Sequence, residues 1–427
     1  MTCAGPFGIE SCVRSFGAPW ACIGVLLATA IYVLPQICVT AELGSMLPLT
    51  NGGVVAWVDR AFGNSCAAVV ALNMIIYQLV DLATYPTIVA GYTQQMSSLP
   101  SWAATSSQYV IVFLGLVMNL FNLRWATDFY TGLLLLILLP FLIGIVLSIP
   151  HWDVAWSIAT GAVPATPDGD GQVSAADWNL FLSTMLWLCT GWDSVGNLAL
   201  EVEKPRHLVD GLFLAAFAAP VVYLACTFAA MAAGPGSWND GYLAQGYGQL
   251  WAPLKPWIVV MGSLSNFLIY TSELACLARM MESMVWGFLD YLPCRLGDHW
   301  ERGAHVLAVL GITAIQCLLV AGLSFEYLVE LSSFLHVIAL EICTAAFLQL
   351  RFTSPRPRRV WTVPGGDFGS VVVALLLFFV LTILVLSAFG SPNVVYGAVV
   401  GNIFFAAISF FLLPKGCHEA WFNTDSA

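Results

Sequence analysis

The feature that most limits what this chain can fold into is a series of apolar runs, each long enough to cross a lipid bilayer. A membrane-spanning helix needs about 20 consecutive apolar residues, whereas strands of a membrane barrel are about 10 residues long and alternate in polarity. This pattern predicts an all-α polytopic membrane protein and excludes a barrel. Eleven uninterrupted runs of helical length lie near 20–41, 66–92, 108–124, 129–150, 180–200, 211–233, 256–283, 304–324, 327–350, 369–389 and 394–414.

The composition supports the same prediction. Hydrophobic residues make up 59 % of the 427 residues, charged residues make up 9 %, and the mean hydropathy is +0.84. A soluble domain carries roughly 25 % charged residues, so this chain has too little polar surface to dissolve in water. No GxxxxGK[ST] sequence is present, which disfavours an ATP-driven pump. The twelve cysteines are scattered, without CxxC or zinc-like spacing, so neither a metal nor another cofactor is expected.

The basic residues are distributed unevenly between the loops. Short cytoplasmic loops of membrane proteins carry an excess of Lys and Arg. With a cytoplasmic C-terminus and alternating runs, the opposite side keeps only Arg14 and Lys255, and Arg279 lies within a long run. We therefore predict that the C-terminus is cytoplasmic. The predicted location of the protein is the plasma membrane. The basic residues on the cytoplasmic side are then Arg60, Arg124, Lys204, Arg206, Arg295, Arg302, Arg351, Arg356, Arg358, Arg359 and Lys415.

Two apolar segments are interrupted by glycine and polar residues. The first is Gly5–Glu10 (GPFGIE) at the start of the chain, and the second is Thr190–Asn197 (TGWDSVGN) within the 180–200 run. Backbone freed from helix at membrane depth is tolerated only where it meets protein, water or a substrate. A pair of broken segments at corresponding positions of two halves indicates an inverted-repeat transporter with its site near the bilayer midplane.

Five sequence blocks, in order along the chain, resemble one known family. They are GPFGIE (5–10), residues 40–63, residues 186–206, residues 238–251 and residues 265–283. Together they are similar to the polyamine and L-type amino acid branch of the amino acid–polyamine–organocation superfamily, and to the proton-coupled polyamine uptake transporters of plants and protozoa. The resemblance covers nearly the whole chain.

The resemblance implies a leucine-transporter-type fold: a five-plus-five inverted repeat with two extra C-terminal spans, working by alternating access and proton-coupled uptake. It also implies that Asp81, followed by Tyr85-Pro86, is the acid of the third span, and that Glu273 is the acid of the eighth. The expected division is a remnant of the broken first span (1–17), the rest of the first repeat (18–152), an extracytoplasmic loop (153–179), the second repeat (180–352), a cytoplasmic loop (353–368), two extra spans (369–414) and a cytoplasmic tail (415–427).

The chain departs from the family pattern at its start. Relatives have an apolar half-helix before this glycine-rich break, whereas Met1 stands four residues before Gly5. The first span is therefore expected to be truncated. An α-amino group near the bilayer midplane is costly, so an incomplete gene model is the favoured explanation, with a short isoform or a degenerate copy as the alternatives.

The chemistry of the breaks and of the intramembrane acids suggests a small cationic substrate. A polyamine needs carboxylates for its ammonium groups and aromatic walls for its methylenes, whereas an amino acid also needs free backbone N–H groups for its carboxylate. Pro6 removes one such N–H from the first break. Carboxylates within spans are functional candidates by default. The predicted substrate-binding residues are Gly5, Phe7, Gly8, Glu10, Asp81, Tyr85, Trp192, Asp193 and Glu273.

Other residues received different predictions. Glu201 and Glu203, next to Lys204 and Arg206, indicate a salt network at a helix end or an inner gate. Asp193 has an alternative role as a helix cap, and Asp81 has an alternative role as a buried hydrogen-bond partner that holds the packing of its span. His336 is favoured as a packing residue, with a proton relay as the alternative.

The functional prediction is a secondary active transporter that takes up polyamines or cationic amino acids by symport with a proton. One alternative is a neutral amino acid transporter, and another is a truncated, non-transporting paralogue. An enzyme is the least favoured class, because no Ser/His/Asp set, metal cluster or HExxH sequence is present. Beyond the substrate, the proton and the bilayer, no partner is expected, and nucleic acid is excluded.

Overall fold

A computed structural model of the chain describes residues 6–46, 53–96, 100–120, 126–166, 174–196, 205–289, 299–353 and 359–412. These residues form helices, turns and connecting segments, and none of them lies in a strand. Of the predicted site residues, Gly5, Glu201 and Glu203 lie outside the described residues.

The helices follow one another along the chain with short connections. They are α1 (Glu10–Phe16), α2 (Ala18–Ala28), a π-helical segment (Thr29–Val33), α3 (Leu34–Met46), α4 (Gly53–Phe62), α5 (Asn64–Gln94), α6 (Ser101–Leu120), α7 (Ala126–Ser148), a 3₁₀ turn (Ile149–His151), α8 (Trp152–Ala159), α9 (Ala175–Leu188), α10 (Pro205–Met231), α11 (Tyr242–Leu250), α12 (Leu254–Leu289), α13 (His299–Gly322), α14 (Phe325–Phe352), α15 (Gly366–Ala388) and α16 (Pro392–Leu412).

Nine stretches of helix among the described residues are long and apolar enough to cross a membrane. Length and polarity alone therefore identify a polytopic membrane protein. They are Ala18–Met46, Ser65–Gln94, Trp102–Leu120, Leu136–Ala159, Arg206–Met231, Leu254–Ala278, His305–Gly322, Phe325–Phe352 and Gly366–Ala388.

The helices differ in how deeply they are buried. In the apolar windows of α5 and α14, 72 % and 67 % of the residues are buried, against 22 % for α6 and 28 % for α13 and α15. Helices α5 and α14 pack directly against each other. The outer helices expose large apolar side chains, as Leu318 on α13 does. Because lipid tails are as apolar as these side chains, we interpret α5 and α14 as the centre of the protein and the others as its lipid-facing rim.

Three details differ from the sequence-based expectations. The run predicted over 180–200 is helical only to Leu188, where α9 ends. The run predicted from 108 begins earlier, at Ser101. The segment 153–179, predicted as a loop, contains most of α8 and the first turn of α9. Helix α9 starts in this loop because Ser174 and Asp177 form a capping box, in which each side chain bonds the other residue's backbone N–H.

Both predicted breaks are non-helical in the structure. Residues 6–9 form turns before α1 begins at Glu10, and residues 189–192 leave the helix before one 3₁₀ turn at residues 193–196. Each break contains a glycine with positive φ: Gly8 at +93° and Gly191 at +94°. Side-chain-bearing residues rarely adopt this conformation, so the glycines fix where the backbone leaves the helix.

An ion-pair network joins the end of α3 to the end of α14. Glu42 is buried and accepts from Arg351 at 2.7 Å, lies 3.0 Å from Arg359, and accepts from the Val363 N–H at 2.8 Å. Arg351 also contacts Asp367 on α15 at 2.9 Å. Since each buried charge has an opposite partner, the network ties α15 to the rest of the bundle without leaving an isolated charge.

Candidate functional site

A cavity of about 490 Å³ lies between the two breaks and four helices, α5, α9, α10 and α12. It is the space in which the structure gathers polar groups from distant parts of the chain. Its lining consists of Phe7, Tyr77, Gln78, Asp81, Tyr85, Trp187, Leu188, Thr190, Gly191, Trp192, Ser194, Val195, His207, Leu208, Gly211, Leu212, Ala215, Tyr223, Asn266, Ile269, Glu273 and Cys276.

Two carboxyl groups meet in this cavity. Asp81 on α5 is buried, and Glu273 on α12 is half-buried. The hydroxyl of Tyr85 lies 3.2 Å from Asp81 Oδ2 and 2.9 Å from Glu273 Oε1, so it bridges the two groups. Trp187 Nε1 donates to the other Asp81 oxygen at 2.8 Å. The structure thus brings together two acids that are 192 positions apart in the sequence.

The bridge between these carboxyl groups contains two oxygen–oxygen contacts but only one hydrogen to fill them. A phenol has a single O–H, so Tyr85 donates to only one of the two carboxylates at a time. Asp81 and Glu273 share this one hydroxyl, so one of the two carboxyl groups lacks its hydrogen at any moment. Either a proton or the N–H of an ammonium group completes the arrangement.

The rest of the cavity wall is mostly aromatic and apolar. Tyr77, Tyr85, Trp187 and Trp192 present ring systems to it, and no Lys or Arg is among its described lining residues. The side-chain oxygen of Gln78 is buried and accepts no hydrogen bond within the described part of the chain. Rings, carboxyl groups and an open acceptor are the groups that attract a cation with a hydrocarbon body.

The predicted site residues separate into two groups. Five of them line the cavity, and three lie behind its wall. The lining residues are Phe7, Asp81, Tyr85, Trp192 and Glu273, and the residues behind the wall are Gly8, Glu10 and Asp193.

The carboxylate of Glu10 accepts hydrogen bonds within the first break. Its Oε2 accepts from the Gly8 N–H at 2.9 Å, and its Oε1 accepts from the Tyr92 hydroxyl at 2.7 Å. The side chain is 1 % exposed. One of the backbone N–H groups that the break frees is therefore already bound by a carboxylate of the protein itself.

Asp193 at the second break is turned towards α14. Its Oδ2 lies 3.2 Å from Nε2 of His336, and both side chains are almost fully buried. Trp192, the residue before it, faces the cavity and donates from Nε1 to the Cys189 carbonyl at 2.6 Å. The second break therefore divides its two central side chains between the cavity and the interior.

The cavity has exposed lining residues at one end of α10, and an ion pair lies beyond the other end of that helix. At the start of α10, His207 and Gly211 line the cavity and are exposed. Beyond the opposite end of α10, Arg14 pairs with Glu326 and donates to Asn239 Oδ1 at 3.2 Å. Burial raises the pKa of the neighbouring Asp240 carboxyl, and the Arg14 charge opposes that shift.

Several cavity residues were not predicted from the sequence. Gln78 and Asn266 lie three and seven positions from the predicted acids of their helices, which places them on the same helical faces. That spacing was available as a signal. Trp187 had no such signal, because a tryptophan in an apolar run is indistinguishable from a packing residue until the neighbouring helix is known.

Comparisons with known proteins identify the family of this chain. A family model described as amino acid permease matches residues 1–413. The polyamine transporter PUT1 of Oryza sativa subsp. japonica is 30 % identical over 381 residues, which cover 86 % of this chain and 68 % of that protein. A probable polyamine transporter of Arabidopsis thaliana is 28 % identical over 387 residues, covering 87 % and 75 %. With a match over nearly its whole length, this chain belongs to the amino acid permease family.

Proposed function

We propose that the protein is a secondary active transporter that takes up polyamines, with cationic amino acids as the next candidate substrates. The observation that carries the proposal is the Asp81–Glu273 pair in an aromatic cavity. The Tyr85 hydroxyl that bridges the pair has one hydrogen for two carboxyl groups. An ammonium group supplies the second hydrogen and the compensating charge. The names of the permease family and of the relatives are those of transporters, which supports a carrier over an enzyme.

The closed first break supports an amine over an amino acid. A substrate carboxylate needs free N–H donors. Pro6 has no N–H, and the Gly8 N–H is bound to Glu10. At the same time the cavity offers the carboxyl groups of Asp81 and Glu273, and no Lys or Arg is among its described lining residues. The relatives described above are named polyamine transporters, in line with this preference.

The proposal also includes a fold and a mechanism. The fold is a five-plus-five inverted repeat with two extra spans, and the mechanism is alternating access coupled to a proton. A cavity with exposed lining residues near His207 suits one state of an alternating cycle. The bias of Lys and Arg towards one side supports a cytoplasmic location for the cavity end near His207 and for the C-terminus. The plasma membrane is the proposed location, where such a carrier would import polyamines.

A competition experiment tests the substrate class. Putrescine and ornithine share the same diamine skeleton and differ by one carboxylate. We expect unlabelled putrescine and spermidine to inhibit uptake of labelled putrescine strongly. Ornithine should inhibit it weakly, because Pro6 has no N–H for its carboxylate and the Gly8 N–H is already bound to Glu10. Inhibition by ornithine or leucine that equals inhibition by putrescine would contradict the proposal and favour an amino acid carrier.

A further inference from the structure

A second buried polar cluster lies next to the cavity but outside its lining. His336 on α14 is 1 % exposed and stands between Asp193, at 3.2 Å from Nε2, and the Thr190 hydroxyl, at 2.9 Å from Nδ1. The Tyr32 hydroxyl lies 3.3 Å from the same Thr190 oxygen. The ring of Tyr77 stacks on the imidazole with centroids 4.1 Å apart.

This cluster forms a continuous chain of hydrogen bonds in one direction. A neutral imidazole carries one N–H and one acceptor nitrogen. When Nε2 donates to Asp193, Nδ1 accepts from Thr190, whose oxygen in turn accepts from Tyr32. Every donor in the chain then has an acceptor. Only Thr190 of these three hydrogen-bonding neighbours also lines the cavity, so one hydroxyl separates His336 from the cavity wall.

We propose that His336 and Asp193 form the binding site for the coupled proton, separate from the carboxyl pair that binds the amine. This inference rests on the proposed function. Symport requires the proton and the substrate to be bound at the same time. A proton that completes the Asp81–Glu273 bridge occupies the position of the ammonium hydrogen, so it competes with the amine. A simultaneous proton therefore needs another group.

The charges around His336 suit that role. With a neutral ring, Asp193 carries an uncompensated buried charge, whereas a proton on His336 makes the pair net neutral. The other titratable groups near the pair are Tyr32 and Tyr77, which contact the chain, and Cys343, which lies near Asp193. Asp81 lies close enough for its charge to interact with His336.

Two further buried or half-buried acids next to α14 are paired away from His336. Glu42 on α3 and Asp367 on α15 pair with Arg351, at the end of α14. Asp193 is therefore the carboxylate that the structure places on the imidazole.

The position of the pair links proton binding to the second break. Asp193 belongs to the 3₁₀ turn that follows the break, and His336 belongs to the central helix α14. When His336 is protonated, an ion pair with a charge-assisted hydrogen bond holds the turn to α14. When it is neutral, a weaker hydrogen bond does so. Protonation thus changes how firmly the broken segment is attached to the centre of the protein.

Two transport assays on purified protein in liposomes distinguish proton coupling from substrate transport. Counterflow measures exchange of labelled putrescine for unlabelled putrescine at equal pH, whereas accumulation measures uptake driven by an acidic exterior. We expect His336→Gln to retain counterflow and to lose accumulation driven by the pH gradient. His305→Gln is the matched control, because His305 lies on α13, outside the cavity lining, with Nε2 3.3 Å from the Asn119 carbonyl. It should retain both activities.

Asp193→Asn gives a second variant if His336→Gln fails to fold, as judged by size-exclusion chromatography. It removes the counter-charge and keeps the imidazole, and we expect the same loss of accumulation with counterflow retained. Accumulation at the wild-type level in the folded variants would overturn the assignment, and so would loss of counterflow together with accumulation. Absence of counterflow in the wild-type protein would instead contradict the proposed function.

Discussion

Asp81 is the residue on which the chemistry of the cavity depends most. Its two oxygens are held by Trp187 and Tyr85, so the carboxylate has a fixed position rather than a range of rotamers. A carboxylate held in this way loses little conformational freedom when a cation binds, and binding becomes stronger when less freedom is lost.

We expect Asp81→Asn to raise the KM for putrescine by roughly 30-fold, because a charged hydrogen bond contributes about 2 kcal/mol. The amide keeps the size of the side chain, so surface expression should remain normal. Saturation kinetics of putrescine uptake measure the change. Asp210→Asn, an exposed position on α10, is the control and should leave KM unaltered. An unchanged KM in Asp81→Asn would remove this residue from the amine site.

Glu10 permits a prediction about stability rather than transport. In Glu10→Ala, the Gly8 N–H and the Tyr92 hydroxyl lose their acceptor while buried, at about 1–3 kcal/mol for each unsatisfied group. Glu10→Gln keeps an acceptor oxygen, so it should be clearly more stable than Glu10→Ala. Thermal unfolding in detergent compares the two. Equal melting temperatures would show that the Glu10 oxygens do not hold the first break.

The sequence indicates which residues are functional candidates better than it indicates where they point. Asp81 and Glu273 stand out because ionisable side chains are rare in apolar runs, and the structure places both in the cavity. Asp193 stands out for the same reason, yet it faces His336, which is 143 positions away. No local pattern connects those two residues, because their contact depends on how α14 packs beside the break.

At the scale of helices, small residues decide how closely neighbours approach. A Cβ added to Gly144 on α7 would overlap the ring of Tyr247 on α11, whereas a Cβ on Gly132 of the same helix would meet nothing within 4 Å. Side chains in a packed interior have little room to move aside. The two glycines of α7 therefore differ in their structural role.

We expect Gly144→Ala to destabilise the protein by about 1–3 kcal/mol through overpacking. Gly132→Ala should leave stability unchanged or slightly improved, since alanine favours helix. Melting temperatures of the two purified variants give the comparison. A Gly144→Ala protein as stable as Gly132→Ala would mean that α7 and α11 are not packed as described.

Helix positions were largely predictable from the sequence, and helix ends less so. The apolar runs gave the long helices because lipid requires every backbone group to bond within its own helix. The early end of α9 at Leu188 had only the glycine and polar residues of 190–197 as a signal. Helix α8, most of which lies in segment 153–179, continues the apolar stretch Leu136–Ala159 beyond residue 150, where the predicted run ended.

At the scale of the whole molecule, the structure holds an acidic pair in a cavity and a separate buried His–Asp pair beside it. If the first pair binds the amine and the second the coupled proton, as proposed, substrate binding and coupling should be separable by mutation. Distances along the chain explain why the sequence alone did not reveal this: the cavity is assembled from segments between Phe7 and Cys276.

The most direct test is uptake of radiolabelled putrescine at pH 5.5 and 7.5, in cells that lack their own polyamine carriers. The protein and its Asp81→Asn variant are compared at equal surface expression. The account predicts saturable uptake that is faster at pH 5.5, where the inward proton gradient is larger, and much weaker uptake by the variant at low putrescine concentration. No putrescine uptake by the surface-expressed protein, or equal uptake by the two proteins, would contradict it.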